Sequence, residues 1–292
     1  MTKMHRLLPL VLLASFDTTP ASAQIDVTGE WGGRIHEDRP NRDDGPTIAD
    51  FAGVPLNDAT RFNAEAWDSS IVSLREHQAQ LYTSALAFHA PGNLRITKVV
   101  DDQSQGVAAY SIYIGLMQMV RTVWMDGRPH PPDYAPHTWM GFSTGRWDGR
   151  TLIIETTHLK AGYAARNGVR HSDRATMTEY LVRHERFLTT IVVLNDPLCF
   201  DEPYVQSWNF EISPDQRLNP KENLQVSDEV PMRRKGHVPH YLPGQNPYLT
   251  QFADQSGLPV EATRGGKETM YPEFAAKLQN VRTKAIVRLG SQ

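Results

Sequence analysis

The chain has 292 residues, a formal net charge of −3 and a single cysteine. Lys+Arg 30 against Asp+Glu 33 is a near-even balance, which argues against nucleic acid or an anionic membrane surface as partner. One cysteine excludes an internal disulfide; Cys199, within Pro197-Leu-Cys-Phe, reads as a buried structural thiol, and the fold must rest on its core.

Residues 1–23 read as a secretory signal. Lys3 and Arg6 precede an apolar run from Leu7 to Phe16, and Ala21-Ser22-Ala23 forms a small-residue cleavage site. The run is too short to span a bilayer. The expectation is an exported protein, periplasmic or secreted, with no membrane insertion once the signal is removed. Gly and Pro number 20 each and Leu-rich helical periodicity is scarce, so the remaining chain should be β-rich and loop-rich.

Ile25 to Gly33 predicts a short first strand, with Trp31 closing one end of the core. Residues 36–55 are polar loop. Asn57-Asp58 caps a predicted helix running to about Trp67. Strand patterns then become dense. Leu94 to Val100 alternates, Asp101 to Gly106 is a turn, and Val107 to Leu116 and Val120 to Met125 follow. A proline-rich connection from Met125 to His137 should be stiff, and it carries Arg128, His130 and Asp133. Ala175 to Arg183 and Phe187 to Asn195 form a hairpin about His184-Glu185, with Glu179 inside a strand. Val205 to Ile212 is a further strand, and Asn246-Pro247 starts a helix to about Gln255. Residues 24–245 therefore read as a β-barrel-like domain with an N-terminal arm, and 246–292 as a helical extension packed on it. The fold class is mainly β: an antiparallel barrel or strongly curved sheet of calycin or lipocalin-like character with short peripheral helices.

The most informative stretch runs from His137 to Lys160. Asp148-Gly149 between two β-compatible runs predicts a tight hairpin. With those two residues as the loop, Trp147 faces Arg150, Gly141 faces Thr156, Trp139 faces His158 and His137 faces Lys160. Alternation then places His137, Trp139, Gly141, Ser143, Gly145, Thr156, His158 and Lys160 on one face. The glycines leave space above the sheet, and the open end concentrates polar side chains. The loop after Lys160 adds Tyr163, Arg166, His171 and Asp173 at the same end.

Histidine titrates near neutral pH, so a pair can divide acid and base roles between them. His137 and His158, as diagonal neighbours, would lie roughly 7–8 Å apart at Cα. The predicted catalytic set is His137, His158, Lys160, Arg128 and His171. The predicted substrate-binding set is Trp139, Gly141, Ser143, Thr156, Tyr163 and Arg166. The matching activity is that of a lyase, isomerase, dehydratase or cyclase acting on an apolar or aromatic small molecule, without a cofactor. Two alternatives stand beside it. One is a lipocalin-like small-molecule binder. The other is an enzyme with a His-bound divalent metal, for which His89, His130 or His171 would supply the third ligand. No phosphate loop or dinucleotide fingerprint occurs. The oligomeric state is not specified.

Trp124-Met-Asp-Gly-Arg-Pro-His-Pro-Pro, followed by Thr138-Trp-Met-Gly-Phe-Ser-Thr-Gly-Arg-Trp-Asp-Gly, resembles a group of exported bacterial proteins of unassigned function. His171-Ser-Asp-Arg-Ala-Thr and His237-Val-Pro-His-Tyr-Leu-Pro-Gly are similar too, and the resemblance covers most of the chain from about Arg75. It implies export and carries no activity. Arg150 departs from the acidic residue that the pattern leads one to expect there, at the border of the turn.

Overall fold

The computed structural model describes residues 25–37, 46–68, 80–87, 93–214, 236, 238 and 240–278. The expected leader, and His77, His89 and His237, lie outside them. Among the described residues, nine strands close into one barrel. In chain order these are β1 (Gly29–Gly33), β2 (Leu94–Val100), β3 (Val107–Ile114), β4 (Met119–Trp124), β5 (Phe142–Asp148), β6 (Thr151–Thr157), β9 (Thr176–His184), β10 (Phe187–Asn195) and β11 (Tyr204–Ile212). Two short strands, β7 (Gly162–Tyr163) and β8 (Arg170–His171), pair with each other outside the ring. Around the barrel the order is β1-β11-β10-β9-β6-β5-β4-β3-β2.

Period-2 patterning forms these strands. In β10, Leu188, Thr190, Val192 and Leu194 are buried while their neighbours are not. Met119, Arg121 and Val123 of β4 turn inward in the same way. Trp31 is fully buried, its indole N–H donating to the Val27 carbonyl at 3.0 Å. A ring of nine strands cannot alternate direction all the way round. Eight neighbouring pairs are antiparallel and β4–β5 is parallel, so the barrel is mixed rather than wholly antiparallel. A parallel pair needs a crossover of a dozen or more residues. Residues 125–141 supply it, and they lie against the outer face of β5 and β6.

The hairpin register differs from the predicted one. Asp148 pairs with Thr151, so the loop is Gly149-Arg150, with Gly149 at φ 54°. Trp147 pairs with Leu152, Gly145 with Ile154 and Ser143 with Thr156. The slip is two residues, an even number, so the inward-facing set is unchanged. The ladder stops at Phe142–Thr157. Beyond it Gly141 and His158 both take positive φ, 70° and 56°. Thr138 and Leu159 then meet as a parallel bridge, not as an antiparallel continuation. The predicted pairs of Trp139 with His158 and of His137 with Lys160 therefore do not form.

The glycines of this hairpin are not the floor of an empty chamber. A Cβ at Gly145 would sit 2.5 Å from Met125 Sδ and 2.9 Å from Val123 Cγ1, and one at Gly141 would sit 2.6 Å from Thr156 Cγ2. They allow close packing. Beside them lies the charged centre of the barrel. Arg121 is 1% and Glu179 0% exposed, and they form a bidentate ion pair. Arg121 Nε donates to Ser143 Oγ at 3.0 Å and Nη2 to Thr156 Oγ1 at 2.8 Å.

The helix Asp58–Glu65 is capped as expected, with the Asn57 side chain accepting from Thr60 N at 2.9 Å. The C-terminal helix starts at Gln251, later than predicted. Asn246 instead turns its side chain back, accepting from Tyr248 N at 3.0 Å and donating to Glu65 O at 2.9 Å. Further ties run from Phe51 N to Thr263 O, 2.9 Å, and from Gly266 N to Val54 O, 2.8 Å. No helix among the described residues is long and apolar enough to cross a membrane.

A buried ion pair is weakly stabilising as a whole, yet removing one partner strands the other charge in the core. Arg121→Met alone should cost about 3–5 kcal/mol in denaturant unfolding. The double variant Arg121→Met with Glu179→Leu should recover most of that loss, leaving Ser143 and Thr156 bonded to each other, as they already are at 2.9 Å. A double variant as unstable as the single one would contradict this account.

Candidate functional site

The crossover and the β6–β9 connection meet over the outer face of the barrel, and there they enclose a pocket of 220 Å³. The crossover contributes His130, Asp133 and His137. The connection contributes His158, Asp173 and Arg174, and Thr157 and Thr176 line the wall. His137 and His158 thus share one pocket, with ring centroids 5.2 Å apart and planes tilted by 55°. They reach it by leaving the sheet, not by standing on its inner face. The left-handed backbone of His158 turns its imidazole out of the ladder, where it is 8% exposed. A non-glycine residue at positive φ is strained, and such strain concentrates at functional positions.

The hydrogen bonds assign the ring nitrogens. His137 Nδ1 lies 2.8 Å from the Leu159 carbonyl, which only accepts, so Nδ1 carries the proton. In the neutral ring, Nε2 then holds a lone pair, and it has no hydrogen-bond partner among the described residues. His158 is bound at both nitrogens. Nε2 donates to the Pro132 carbonyl at 3.0 Å, and Nδ1 lies 2.7 Å from Thr157 Oγ1. His130 also uses both, with Nδ1 2.8 Å from Thr157 Oγ1 and Nε2 2.9 Å from Thr144 Oγ1. Burial holds the His130 imidazole below its ordinary pKa; the His158 charge acts in the same direction and Glu155 in the opposite one. Phe142 packs edge-on against the His130 ring at 5.5 Å.

Asp133, Asp173 and Arg174 are exposed at the rim. None of their side chains has an ion-pair partner among the described residues, so the rim offers two carboxylates and a guanidinium to a ligand. Among the described residues, no three His, Cys, Asp or Glu side chains are grouped to hold a metal ion.

The other predicted residues lie elsewhere. Lys160 is exposed, its Nζ 4.8 Å above the Trp139 ring, and neither lines the pocket. Arg128 is paired with Asp126 at 2.5 Å and stacked 3.6 Å over Trp124. His171 is buried, with Nε2 2.7 Å from Thr83 Oγ1 and Nδ1 donating to Ser172 O at 3.0 Å. Tyr163 packs edge-on against Trp67, and Arg166 is half-buried in the loop after β7. Ser143 and Thr156 face inward onto Arg121. Gly141 packs against Thr156. Sequence reasoning does not single out Thr144 and Thr157, on the face opposite the glycines, nor Arg174 and Thr176. Simple alternation along β5 and β6 is enough to place the two threonines together on the outside.

Two other groups have shifted titration. Burial pushes the Cys199 thiol up to about 11, so it stays protonated at neutral pH and is no nucleophile. Burial also raises half-buried Asp50 to about 6, against a bond from the Ala52 N–H that lowers it. Comparison with known proteins finds no matching family model, curated protein or solved structure. The fold and site therefore define a class only: a closed mixed β-barrel with a histidine-lined pocket on its outer wall.

His158→Ala and His158→Gly lose the same imidazole, but only glycine accepts positive φ freely, so the Gly variant should be more stable by about 1 kcal/mol. Equal stabilities in thermal unfolding would mean that position 158 carries no strain. For Asp50, the folded pKa lies above the unfolded one, so its contribution is fully present below about pH 4 and is lost as pH rises through about 6. Asp50→Asn should match the parent at pH 4 and exceed it by about 1–2 kcal/mol at pH 8, after allowing for solvent screening. A pH-independent difference would refute the assignment.

Proposed function

We propose that the protein is an exported small-molecule enzyme using histidine acid–base chemistry of the lyase or isomerase kind, with His137 as general base. The observation that carries this is the His137 imidazole, which lines the pocket with one nitrogen anchored to a backbone carbonyl and the other without a hydrogen-bond partner among the described residues. A base needs a lone pair, a fixed orientation and access to a substrate proton. His137 Nε2 meets all three. The adjacent His158 ring, with Nε2–H already committed to Pro132, is suited to be the acid partner when it gains a proton at Nδ1.

The charged rim suits a substrate that carries a polar or charged group, and Trp139, from which an apolar or aromatic body was expected, does not line the pocket. At 220 Å³ the pocket falls below the usual range for drug-sized ligands, roughly 300–1,000 Å³. Arg174 would hold a carboxylate or an oxyanion that forms as His137 removes a proton. The reading of a lipocalin-like carrier has less support, because the glycines that were to open a chamber in β5 are packed against Val123, Met125 and Thr156.

The test is chemical change to a ligand. Small hydroxy, keto and amino acids would be incubated with the protein in D2O and followed by NMR for product, or for deuterium at the carbon that loses its proton. The expected result is turnover by the parent protein and a loss of about 10²-fold or more in His137→Ala, with the unfolding midpoint unchanged. A ligand that binds and is recovered unaltered would overturn the enzyme reading in favour of a carrier. Turnover that survives in His137→Ala would remove His137 as the base.

A further inference from the structure

The Thr157 hydroxyl stands between two imidazoles, 2.8 Å from His130 Nδ1 and 2.7 Å from His158 Nδ1. A hydroxyl has one proton to give. It donates to one ring and accepts from the other, so the two Nδ1 atoms cannot be in the same state without cost. The ends of the chain then set its polarity. Pro132 O only accepts, so His158 Nε2 keeps its proton in every state. With His158 neutral, Nδ1 is a lone pair and Thr157 donates to it. Thr157 then accepts from His130 Nδ1–H, and His130 Nε2 accepts from the Thr144 hydroxyl 2.9 Å away.

Adding one proton to His158 Nδ1 reverses the chain. His158 becomes an imidazolium and donates to Thr157. Thr157 turns its proton to His130 Nδ1, and His130 Nε2 carries the hydrogen and donates to Thr144 Oγ1. The balance is one proton in. His130 begins and ends neutral and only exchanges tautomers: its Nδ1 hydrogen passes to Thr157 as Thr157 gives its own to His158 Nδ1, and its Nε2 takes the hydrogen of Thr144, which regains one from solvent. A doubly protonated pair would leave the Thr157 hydrogen with no acceptor in the chain and place two cations on one hydroxyl.

We propose that His130, Thr157 and His158 form a one-proton store, in which the proton resides on His158 and His130 follows by tautomer exchange. Burial of His130 supports this, since it disfavours the charged ring there. The groups facing the unit are Glu155 on β6, the His137 ring at 5.2 Å, and Asp133, Asp173 and Arg174 around the pocket. The two carboxylates and Glu155 favour a cation at the unit; Arg174 and a protonated His137 oppose it. On the enzymatic reading of the pocket, on which its role though not its existence rests, the store supplies the acid that complements His137. His130 is then a positioning residue, acting through Thr157.

Nitrogen-15 NMR of the imidazoles across a pH titration tests this without any substrate. The expected result is that His158 gains a proton at Nδ1, and that His130 interchanges its protonated and unprotonated nitrogens at the same midpoint without becoming a cation. Thr157→Val should uncouple them, so that His130 keeps one tautomer through the His158 transition. Thr157→Ser, which keeps the hydroxyl, should restore the coupling. Independent protonation of His130 with its own midpoint, or coupling that survives in Thr157→Val, would overturn the proposal. If the coupling is present while His137→Ala retains turnover, the store stands and the assignment of the base fails. If the coupling is absent while His137→Ala is inactive, the reverse holds.

Discussion

The constraint on which this structure depends is one of parity. Nine strands close the ring, and a closed ring with an odd number of strands must contain a parallel pair. That pair is β4–β5. Because β5 runs the same way as β4, the chain has to travel the length of the barrel between them. It does so along the outside of β5 and β6, through 17 positions stiffened by Pro129, Pro131, Pro132 and Pro136. The crossover is thus a requirement of closure, and it is also what brings His130, Asp133 and His137 against the wall. The histidine pocket is built where the topology forces chain to cover sheet.

The interior serves a different end. At the same seam, the inward positions of β4, β5, β6 and β9 hold Arg121, Ser143, Thr156 and Glu179, bonded among themselves. The charges are paired, the hydroxyls are used, and the glycine of β5 is filled by Val123 and Met125. Such a network ties four strands at the junction where the parallel ladder is only two residue pairs long. Inside, the polar groups are consumed by one another. Outside, the His137 Nε2 and the rim charges have no partner among the described residues and are left for something else to bind.

Much of this fold was legible in the sequence. Strand alternation marks nearly every element of the barrel, and Asn57 caps its helix as it should. The facing of the central hairpin survived an error in register because the slip was even: moving the turn from Asp148-Gly149 to Gly149-Arg150 changes partners but not faces. The site was less legible. Alternation was extended to His137 and Lys160, past the point where Gly141 and His158 leave the β region. A glycine at positive φ can be anticipated, but a histidine there cannot be read from propensity, because its neighbours hold it. His137 and His158 therefore meet for a reason other than the one inferred. Lys160, Arg128 and His171 failed to join them because each has a nearer partner, Trp139, Asp126 and Thr83 respectively. Those contacts are made across loops that period-2 reasoning does not reach.

The central claim concerns three neighbouring imidazoles in different states of commitment. Among the described residues, His130 and His158 have both nitrogens engaged, while His137 has one engaged and one open. Acylation of the folded protein by diethyl pyrocarbonate, mapped residue by residue by mass spectrometry, reads that difference directly, since the reagent attacks an accessible imidazole lone pair. The account predicts that His137 is modified well before His130 and His158. Modification of His158 or His130 as fast as His137 would contradict it.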